Sequence, residues 1–237
     1  MFGGDILKKF IQSSDILKLI KDGDTLLVGG FGLSGTPLTL IDEIASSSLK
    51  NLTVVSNNLG EPGKGLGKLL LSGCLKKAVG SYFTTNRDAI KAWKEGHLEI
   101  ELIPQGTLVE AIRCGGAGIG GFYTKTALGT KIGEGKEVKE IDGEKYILEK
   151  AIKGDVSLIK AMKADTLGNL VYEYTARNFN PVMATASKIV IAEVDEIVEA
   201  GTLSPYEIVT PHVYVDYVVA SHYVKVGGVY VESISPD

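Results

Sequence analysis

A glycine-rich segment at residues 22–37 combines residue types that are common where a backbone meets a phosphate group. Its sequence is DGDTLLVGGFGLSGTP, in which Gly30, Gly32 and Gly35 satisfy the spacing G-x-G-x-x-G. Between a strand and a helix, such glycines let backbone N–H groups approach a pyrophosphate at the positive end of the helix. The pattern predicts a site for a phosphate-bearing adenine nucleotide. The alternative is a turn that serves only close packing of the strand and the helix.

The end of the following strand argues against NAD as that nucleotide. A dinucleotide fold places Asp or Glu there to bind a ribose hydroxyl, whereas this chain has Ser56, Asn57 and Asn58. A Rossmann-type NAD-dependent oxidoreductase is therefore a less favoured alternative. These residues do not argue against other phosphate-bearing adenine nucleotides. A second glycine-rich run, GEPGKGLGK at residues 60–68, lacks the spacing of a phosphate loop. We interpret it as a surface loop.

The segment IPQGTLVEAIRCGGAGIGGFYTKT, residues 103–126, places Gln105 directly after a predicted strand. Ligands of parallel sheets bind beyond the carboxyl ends of the strands. The amide of Gln105 can both donate and accept a hydrogen bond, which suits a carboxylate or an amide-bearing ligand. Either a binding site or a helix cap followed by a turn explains this pattern.

Nucleophiles and metal ligands form no recognisable set. Cys74 and Cys114 make no CxxC pattern, and the histidines at 97, 212 and 222 lie far apart in the sequence. Cys114 is placed near the end of a predicted helix, where the helix dipole disfavours a thiolate. By itself, the chain therefore lacks a convincing nucleophile and base.

Composition narrows the class further. The 237 residues include 25 basic and 29 acidic side chains without a cluster of either sign, which disfavours nucleic acids and anionic membranes as partners. No apolar run approaches the roughly 18 residues of a membrane-spanning helix, and the sequence opens without a secretory leader pattern. We expect a cytoplasmic protein.

The elements that would position these residues alternate between strands and helices. Helical spacing covers Asp5–Lys21, and Thr36 and Pro37 should begin a helix that ends at Ser48. Short links between alternating elements predict parallel strands joined by right-handed crossovers. The predicted strands of this half are 25–30, 52–56, 77–83 and 98–104, and the further helices are 86–96 and 107–113.

The second half contains a hairpin around Asp142-Gly143, formed by residues 137–141 and 144–149. Strands are predicted at 156–164, 169–175 and 188–198, with a helix at 181–187. The apolar tail from Pro205 is expected to pack against a partner or a second copy of the chain. The whole predicts an α/β fold, an open, mostly parallel doubly wound sheet with an inserted β-hairpin, as one domain over residues 1–237.

Several ordered motifs resemble the family I coenzyme A transferases of the 3-oxoacid or acetate–acetoacetate type, and in particular their smaller α-subunit. Beyond DGDTLLVGGFGLSGTP they are VSNN (55–58), FTTN (83–86), IPQGTL (103–108), IRCGGAGIGGF (112–122), ADTLGNL (164–170), ARNFNP (176–181) and EVDEIVEAG (193–201). The likeness extends over about residues 20–220.

The resemblance implies transfer of coenzyme A between an acyl-CoA and a short-chain carboxylic acid, with no tightly bound cofactor. In that family a glutamate attacks the acyl-CoA to give a mixed anhydride, and coenzyme A then forms a glutamyl-CoA thioester. The glutamate belongs to a β-subunit motif, Ser-Glu-Asn-Gly, which is absent here, and Glu61 does not align with it. The implied partner is that β-subunit, in an A2B2 heterotetramer, and no catalytic residue is expected in this chain.

The same resemblance assigns site residues. Gln105, Asn57 and Gly116 would lie in the substrate site. Lys125 and Ala127 stand where the family usually has Pro and Gly, so the resemblance does not extend to the shape of this loop or to the acid preference that depends on it. A non-catalytic acyl-CoA-sensing module on the same sheet is a further alternative. The coenzyme A binding residues implied by the resemblance are Gly29, Gly30, Phe31, Gly32, Leu33, Ser34 and Gly35.

Overall fold

The computed structural model describes residues 9–226 and 229–232. The helices are α1 (Leu38–Ala45), α2 (Gly67–Leu71), α3 (Arg87–Lys94), α4 (Gln105–Gly116) and α5 (Asn180–Met183), with 3-10 segments at Ser13–Lys18, Tyr174–Arg177 and His212–Tyr214. The strands are β1 (Thr25–Val28), β2 (Leu52–Val55), β3 (Leu75–Gly80), β4 (Glu99–Leu102), β5 (Gly121–Thr124), β6 (Val138–Ile141), β7 (Glu144–Lys150), β8 (Gly154–Asp165), β9 (Leu170–Val171), β10 (Ser187–Val198), β11 (Tyr217–Ala220), β12 (Tyr223–Val226) and β13 (Val229–Glu232).

The central sheet has the order β11-β10-β8-β1-β2-β3-β4, and every neighbouring pair in this order is parallel. The short β9 pairs antiparallel with β8. This arrangement confirms the predicted α/β fold with a mostly parallel open sheet.

Apolar side chains alternate between the two faces of the sheet, and each face has its own core. Leu26 and Val28 belong to the core that includes buried residues of α1, α2 and α3, whereas Leu27 between them belongs to the core that includes buried residues of α4 and α5. Strands with apolar residues on both sides are typical of parallel sheets covered by helices. The carboxyl ends of the strands are thereby left as the polar edge of the sheet.

The inserted hairpin is confirmed and is larger than the sequence pattern indicates. Strands β6 and β7 pair around Asp142 and Gly143, which have positive φ angles of 52° and 78°. β5 adds a third antiparallel strand along β7, so the sheet order is β5-β7-β6. The sequence pattern does not indicate β5 because its few residues follow directly on a glycine-rich run.

Four local predictions are wrong in detail. Residues 13–18 form a 3-10 helix in place of the α-helix predicted over Asp5–Lys21, of which residues 5–8 lie outside the described part. Thr36 does not cap α1, since its hydroxyl donates to the Gly32 carbonyl oxygen at 3.2 Å. Residues 67–71, of which 67–68 belong to the predicted surface loop, form α2. The strand predicted over 169–175 is confined to β9 and is followed by a 3-10 helix.

Part of the tail packs against the rest of this chain. β11 is the edge strand of the central sheet, and Val218 and Val219 are buried in its two cores. The Tyr223 hydroxyl binds Asp42 of α1 and accepts from Lys68 of α2 at 3.2 Å. Residues 227–228 and 233–237 of the tail lie outside the described part.

Within residues 9–226 and 229–232, no helix is both long enough and apolar enough to cross a membrane.

Candidate functional site

A crevice forms at the carboxyl ends of β1 and its neighbours. The chain continues from β1 to β2 on one side, while β8 lies on the other side. Connections on the two sides of such a strand run to opposite faces of the sheet, so the loops separate and leave room for a ligand. The glycine-rich segment after β1 and the polar residues after β2 and β4 meet at this point.

Close contacts with two asparagines hold the glycine-rich segment in place. Asn178 Oδ1 accepts from the Gly30 amide at 3.1 Å, and Asn178 Nδ2 donates to the Ser34 carbonyl oxygen at 3.0 Å. Asn180 Nδ2 donates to the Gly35 carbonyl oxygen at 3.0 Å, and Asn180 Oδ1 accepts from the Lys160 amide at 2.9 Å. Both asparagines are contributed by the connection between β9 and β10, on the far side of β1.

Three of the glycines are required by this packing. A Cβ atom on Gly29 would lie 1.8 Å from Asn180 Oδ1, and one on Gly30 would lie 2.2 Å from the Thr36 hydroxyl. A Cβ atom on Gly35, whose φ is +65°, would lie 2.2 Å from the Ala176 carbonyl oxygen. Their identity therefore has a structural reason that is independent of any ligand.

Gly32 differs from these three. Its φ is +64°, and no heavy atom lies within 4 Å of the position of a Cβ atom. Gly32 and Leu33 are the central residues of a tight turn, in which the Phe31 and Ser34 amides donate to each other's carbonyl oxygens at 3.0 and 3.1 Å. The Phe31 side chain is 52% exposed beside it. Gly32 is therefore the position of this turn that faces open space.

A second turn of the same kind follows β2. The backbones of Glu61 and Lys64 bond to each other across Pro62 and Gly63, as those of Phe31 and Ser34 do. The two turns touch, since a Cβ atom on Gly65 would lie 2.8 Å from Leu33 Cδ2. Gly60 and Glu61, at the start of this second turn, line the crevice.

An amide cluster lines its floor. Asn57, which is 2% exposed, donates through Nδ2 to Gln105 Oε1 at 3.0 Å and to the Ser81 hydroxyl at 3.1 Å. Ser81 in turn donates to the Asn57 carbonyl oxygen at 3.0 Å. Since Gln105 Oε1 already accepts from Asn57, Nε2 is the group of this side chain that can donate to a ligand. Asn57 thus orients Gln105.

The cleft around this cluster has a volume of about 480 Å³ and an adjoining part of about 320 Å³, which share Phe31 and Gln105. Glu61 supplies a carboxylate to the larger part. That carboxylate is half exposed and lies 3.6 Å from the Lys64 ammonium. The residues lining the larger part are Phe31, Gly32, Asn57, Asn58, Gly60, Glu61, Ser81, Tyr82, Thr85 and Gln105.

The N-terminus of α1 is already occupied by a carboxylate of the protein. Glu193 of β10 is fully buried, and its Oε2 accepts from the amides of Thr39 and Leu40 at 2.9 and 3.3 Å. Its Oε1 accepts from the Ser221 hydroxyl at 2.6 Å and from Lys160 Nζ at 3.1 Å. A pyrophosphate bound in the Rossmann manner needs these amides. The geometry therefore disfavours the NAD-dependent alternative.

Gly116 and the thiols do not join the cleft. Gly116 ends the helix that Gln105 begins, about 16 Å away at 1.5 Å rise per residue. Cys114 is buried near the same end, and this burial, followed by the Glu110 carboxylate, raises the pKa of its thiol. Within residues 9–226 and 229–232, no group of three or more His, Cys, Asp or Glu side chains is placed to bind a metal ion.

The residues that support the site from distant parts of the chain are not evident from the sequence. Glu193, Asn178 and Asn180 reach α1 or the glycine-rich segment from more than 140 positions further along the chain. They lie in the motifs EVDEIVEAG and ARNFNP, which are recognisable in the sequence without indicating a contact.

An open parallel sheet with a polar crevice at its switch point defines an α/β ligand-binding protein of the kind that includes many enzymes.

Known proteins place the chain within this class. The family model for coenzyme A transferase matches residues 12–221. The A-type chain of a probable succinyl-CoA:3-ketoacid coenzyme A transferase of Bacillus subtilis (strain 168) is 55% identical over 212 residues, which are 90% of this chain and 89% of that protein. The alpha chain of an acetate CoA-transferase of Escherichia coli (strain K12) is 41% identical over 213 residues, covering 90% of this chain and 97% of that protein. The chain therefore belongs to the coenzyme A transferase family.

Solved structures agree on the fold. An acyl-CoA transferase of Escherichia coli O157:H7, in a thioester complex with CoA, superposes with a TM-score of 0.82 at 22% identity. The superposition covers 94% of this chain and 49% of that protein, so the chain spans about half of its length.

Proposed function

We propose that the chain is the α-subunit of a heteromeric coenzyme A transferase that moves coenzyme A between an acyl-CoA and a short-chain 3-oxo or related carboxylic acid. The relatives that are named as the A-type or alpha chain of such enzymes support this proposal. The observation that carries it is the chemistry of the cleft. Side-chain amide and hydroxyl groups of Asn57, Gln105 and Ser81 line it, while Glu61, the lining carboxylate of the larger part, is half exposed and paired with Lys64.

A glutamate of the partner β-subunit supplies the nucleophile. Its carboxylate attacks the acyl-CoA carbonyl and expels coenzyme A thiolate, which gives a mixed anhydride. The thiolate then attacks the glutamyl carbonyl, which releases the acyl group as a carboxylate and leaves a glutamyl-CoA thioester. An incoming acid reverses both steps, so no water or redox partner is consumed. Covalent catalysis of this kind replaces one difficult exchange with easier ones.

This chain binds and orients the reactants. The turn at Phe31–Ser34 contacts the coenzyme A ester, where Gly32 lets the ligand approach the backbone. The Nε2 group of Gln105 donates to the oxygen that gains negative charge at the reacting carbonyl. Asn57 keeps the Gln105 side chain in that orientation through its 3.0 Å hydrogen bond. The other residues of the segment Gly29–Gly35 shape the turn at Phe31–Ser34.

The two kinds of chain assemble as an A2B2 heterotetramer, with the partner's glutamate facing the crevice. The cleft is open on the side away from the sheet, where Phe31 and Tyr82 are each 52% exposed. Apolar side chains beside a polar cleft are suited to a protein partner.

Co-expression with a chain that carries the glutamate motif tests the proposal. The purified complex should transfer coenzyme A from acetyl-CoA to at least one acid of a panel that includes acetoacetate, succinate, butyrate and propionate. Either chain by itself should be inactive and is the matched control. A complex that forms but transfers coenzyme A to none of these acids would refute the proposed function, as would NAD-dependent oxidation of the same substrates.

A further inference from the structure

The smaller part of the cleft is lined by a positively charged side chain, Arg177, which has no role in the proposed reaction. Arg177 lies on the wall of this part, which has a volume of about 320 Å³ and also includes Phe31 and Gln105. Its other lining residues are mostly apolar, and include Val109, Phe179, Pro181 and Val182. An arginine on a largely apolar wall next to Gln105 is suited to an anionic group carried on a short aliphatic chain.

No side chain that the structure describes forms an ion pair with Arg177. Arg177 has neither a side-chain hydrogen bond nor an ion pair with any residue whose side chain the structure describes, namely residues 9–224 and 231, and its own side chain is exposed. By contrast, Arg113 forms a two-point ion pair with Glu110 at 2.7 and 2.9 Å. The guanidinium of Arg177 therefore keeps its planar set of donors for a carboxylate or a phosphate.

The backbone that presents Arg177 is fixed by strained residues. Tyr174 and Asn178, at either side of it, have positive φ angles of 43° and 20°. Such conformations cost roughly 1–3 kcal/mol each and persist where surrounding contacts determine them. Asn178 supplies these contacts, because its side chain binds the Gly30 amide and the carbonyl oxygens of Ser34 and Thr175. The backbone of Arg177 is thereby held at a set place beside the glycine-rich turn.

We propose that Arg177 binds a second carboxylate of the acid substrate and makes the enzyme selective for dicarboxylic acids and their mono-thioesters. This inference rests on the proposed function and names its substrate class. One carboxyl group reacts near Gln105, the aliphatic carbons lie along the apolar wall, and the distal carboxylate binds the guanidinium. A phosphate of the coenzyme A ester is the other source of anionic oxygens. The single cation and apolar wall of this part suit a carboxylate better, because a pyrophosphate needs several donors.

Succinate and butyrate provide a matched test, since both have four carbons and only succinate has a distal carboxylate. In the assembled enzyme, with acetyl-CoA as donor, Arg177→Gln should lower kcat/KM for succinate about 10- to 100-fold, the loss expected for a charge-assisted contact. The change should be mainly in KM. The value for butyrate should change less than about threefold, and Arg177→Lys should restore part of the loss. Arg87→Gln on α3, outside both parts of the cleft, is the control and should leave both acids unaffected.

Acetyl-pantetheine, which lacks the phosphates of acetyl-CoA, separates the two sources of anion. If Arg177 binds the acid, the loss for succinate persists with this donor. A loss that is equal for both acids with acetyl-CoA and absent with acetyl-pantetheine would assign Arg177 to a phosphate and overturn the proposal. Unchanged selectivity between succinate and butyrate in Arg177→Gln would also overturn it.

The same experiment distinguishes this inference from the proposed function. A wild-type complex that transfers coenzyme A to no acid refutes the function. A complex that transfers it to butyrate, while Arg177→Gln keeps the wild-type preference, refutes only the assignment of Arg177.

Discussion

Removal of the buried Glu193 carboxylate should destabilise the protein and loosen the start of α1. In Glu193→Ala, the amides of Thr39 and Leu40 lose the oxygen that accepts from them at 2.9 and 3.3 Å. Lys160 loses its contact at 3.1 Å but keeps Asp195 at 2.6 Å. Breaking a buried ion pair typically costs about 3–5 kcal/mol, and each unsatisfied buried donor about 1–3 kcal/mol. Because Asp195 still neutralises Lys160, we expect a loss of about 3–5 kcal/mol in total.

Urea unfolding of the purified chain measures this loss, and amide hydrogen exchange locates it. Exchange of the Thr39 and Leu40 amides should accelerate more than that of amides in the middle of β2. Glu193→Gln retains an acceptor oxygen and should lose less than the alanine variant. Glu196→Ala on the same strand removes a half-exposed pair with Lys163 and should cost less than about 1 kcal/mol.

Similar losses of stability in Glu193→Ala and Glu196→Ala would contradict this role of Glu193. Unchanged protection of the α1 amides in Glu193→Ala would contradict it as well. In either case, the N-terminus of α1 would not depend on this carboxylate, and the structural argument against a Rossmann-type pyrophosphate site would be lost.

Three further predictions concern the crevice. Gly35→Ala should destabilise the chain by at least about 2 kcal/mol in urea unfolding, because its Cβ atom would lie 2.2 Å from the Ala176 carbonyl oxygen at a φ of +65°; an unchanged midpoint would contradict this. Gly32→Val should leave most of the fold intact in circular dichroism and weaken acyl-CoA binding by the assembled enzyme, and an unchanged Kd would make this turn purely structural. Gln105→Ala should lower kcat about 10²–10³-fold without abolishing turnover, whereas wild-type kinetics would remove Gln105 from the site.

The sheet could be predicted from the sequence because its signals are local. TLLV at Thr25–Val28 and the glycines after it identify a buried strand and a sharp turn within a dozen residues. The Asn86 side chain caps α3 as the sequence indicates, accepting from the Asp88 and Ala89 amides at 3.1 and 3.3 Å. The prediction of the first helix is wrong because the spacing of apolar residues does not distinguish an α-helix from the 3-10 helix found at Ser13–Lys18.

The supports of the candidate site could not be predicted in the same way. Nothing local in the sequence indicates that Asn178 binds the Ser34 carbonyl oxygen or that Glu193 binds the α1 amides. These contacts depend on β8 lying next to β1, which is a consequence of topology. Gly116 lies at the C-terminal end of α4, four residues after the core residue Ile112, whereas Gln105 lies at the N-terminal end. The two residues therefore do not meet, although one helix contains both.

The location of the covalent intermediate tests the central claim most directly. The assembled enzyme is incubated with acetyl-CoA in the absence of an acceptor acid, reduced with borohydride, digested and mapped by mass spectrometry. We expect the modified glutamate on the partner chain, and we expect the 237-residue chain to stay unmodified in the wild type and in Gln105→Ala. A modification on this chain, at Glu61 or at any other residue, would contradict the central claim.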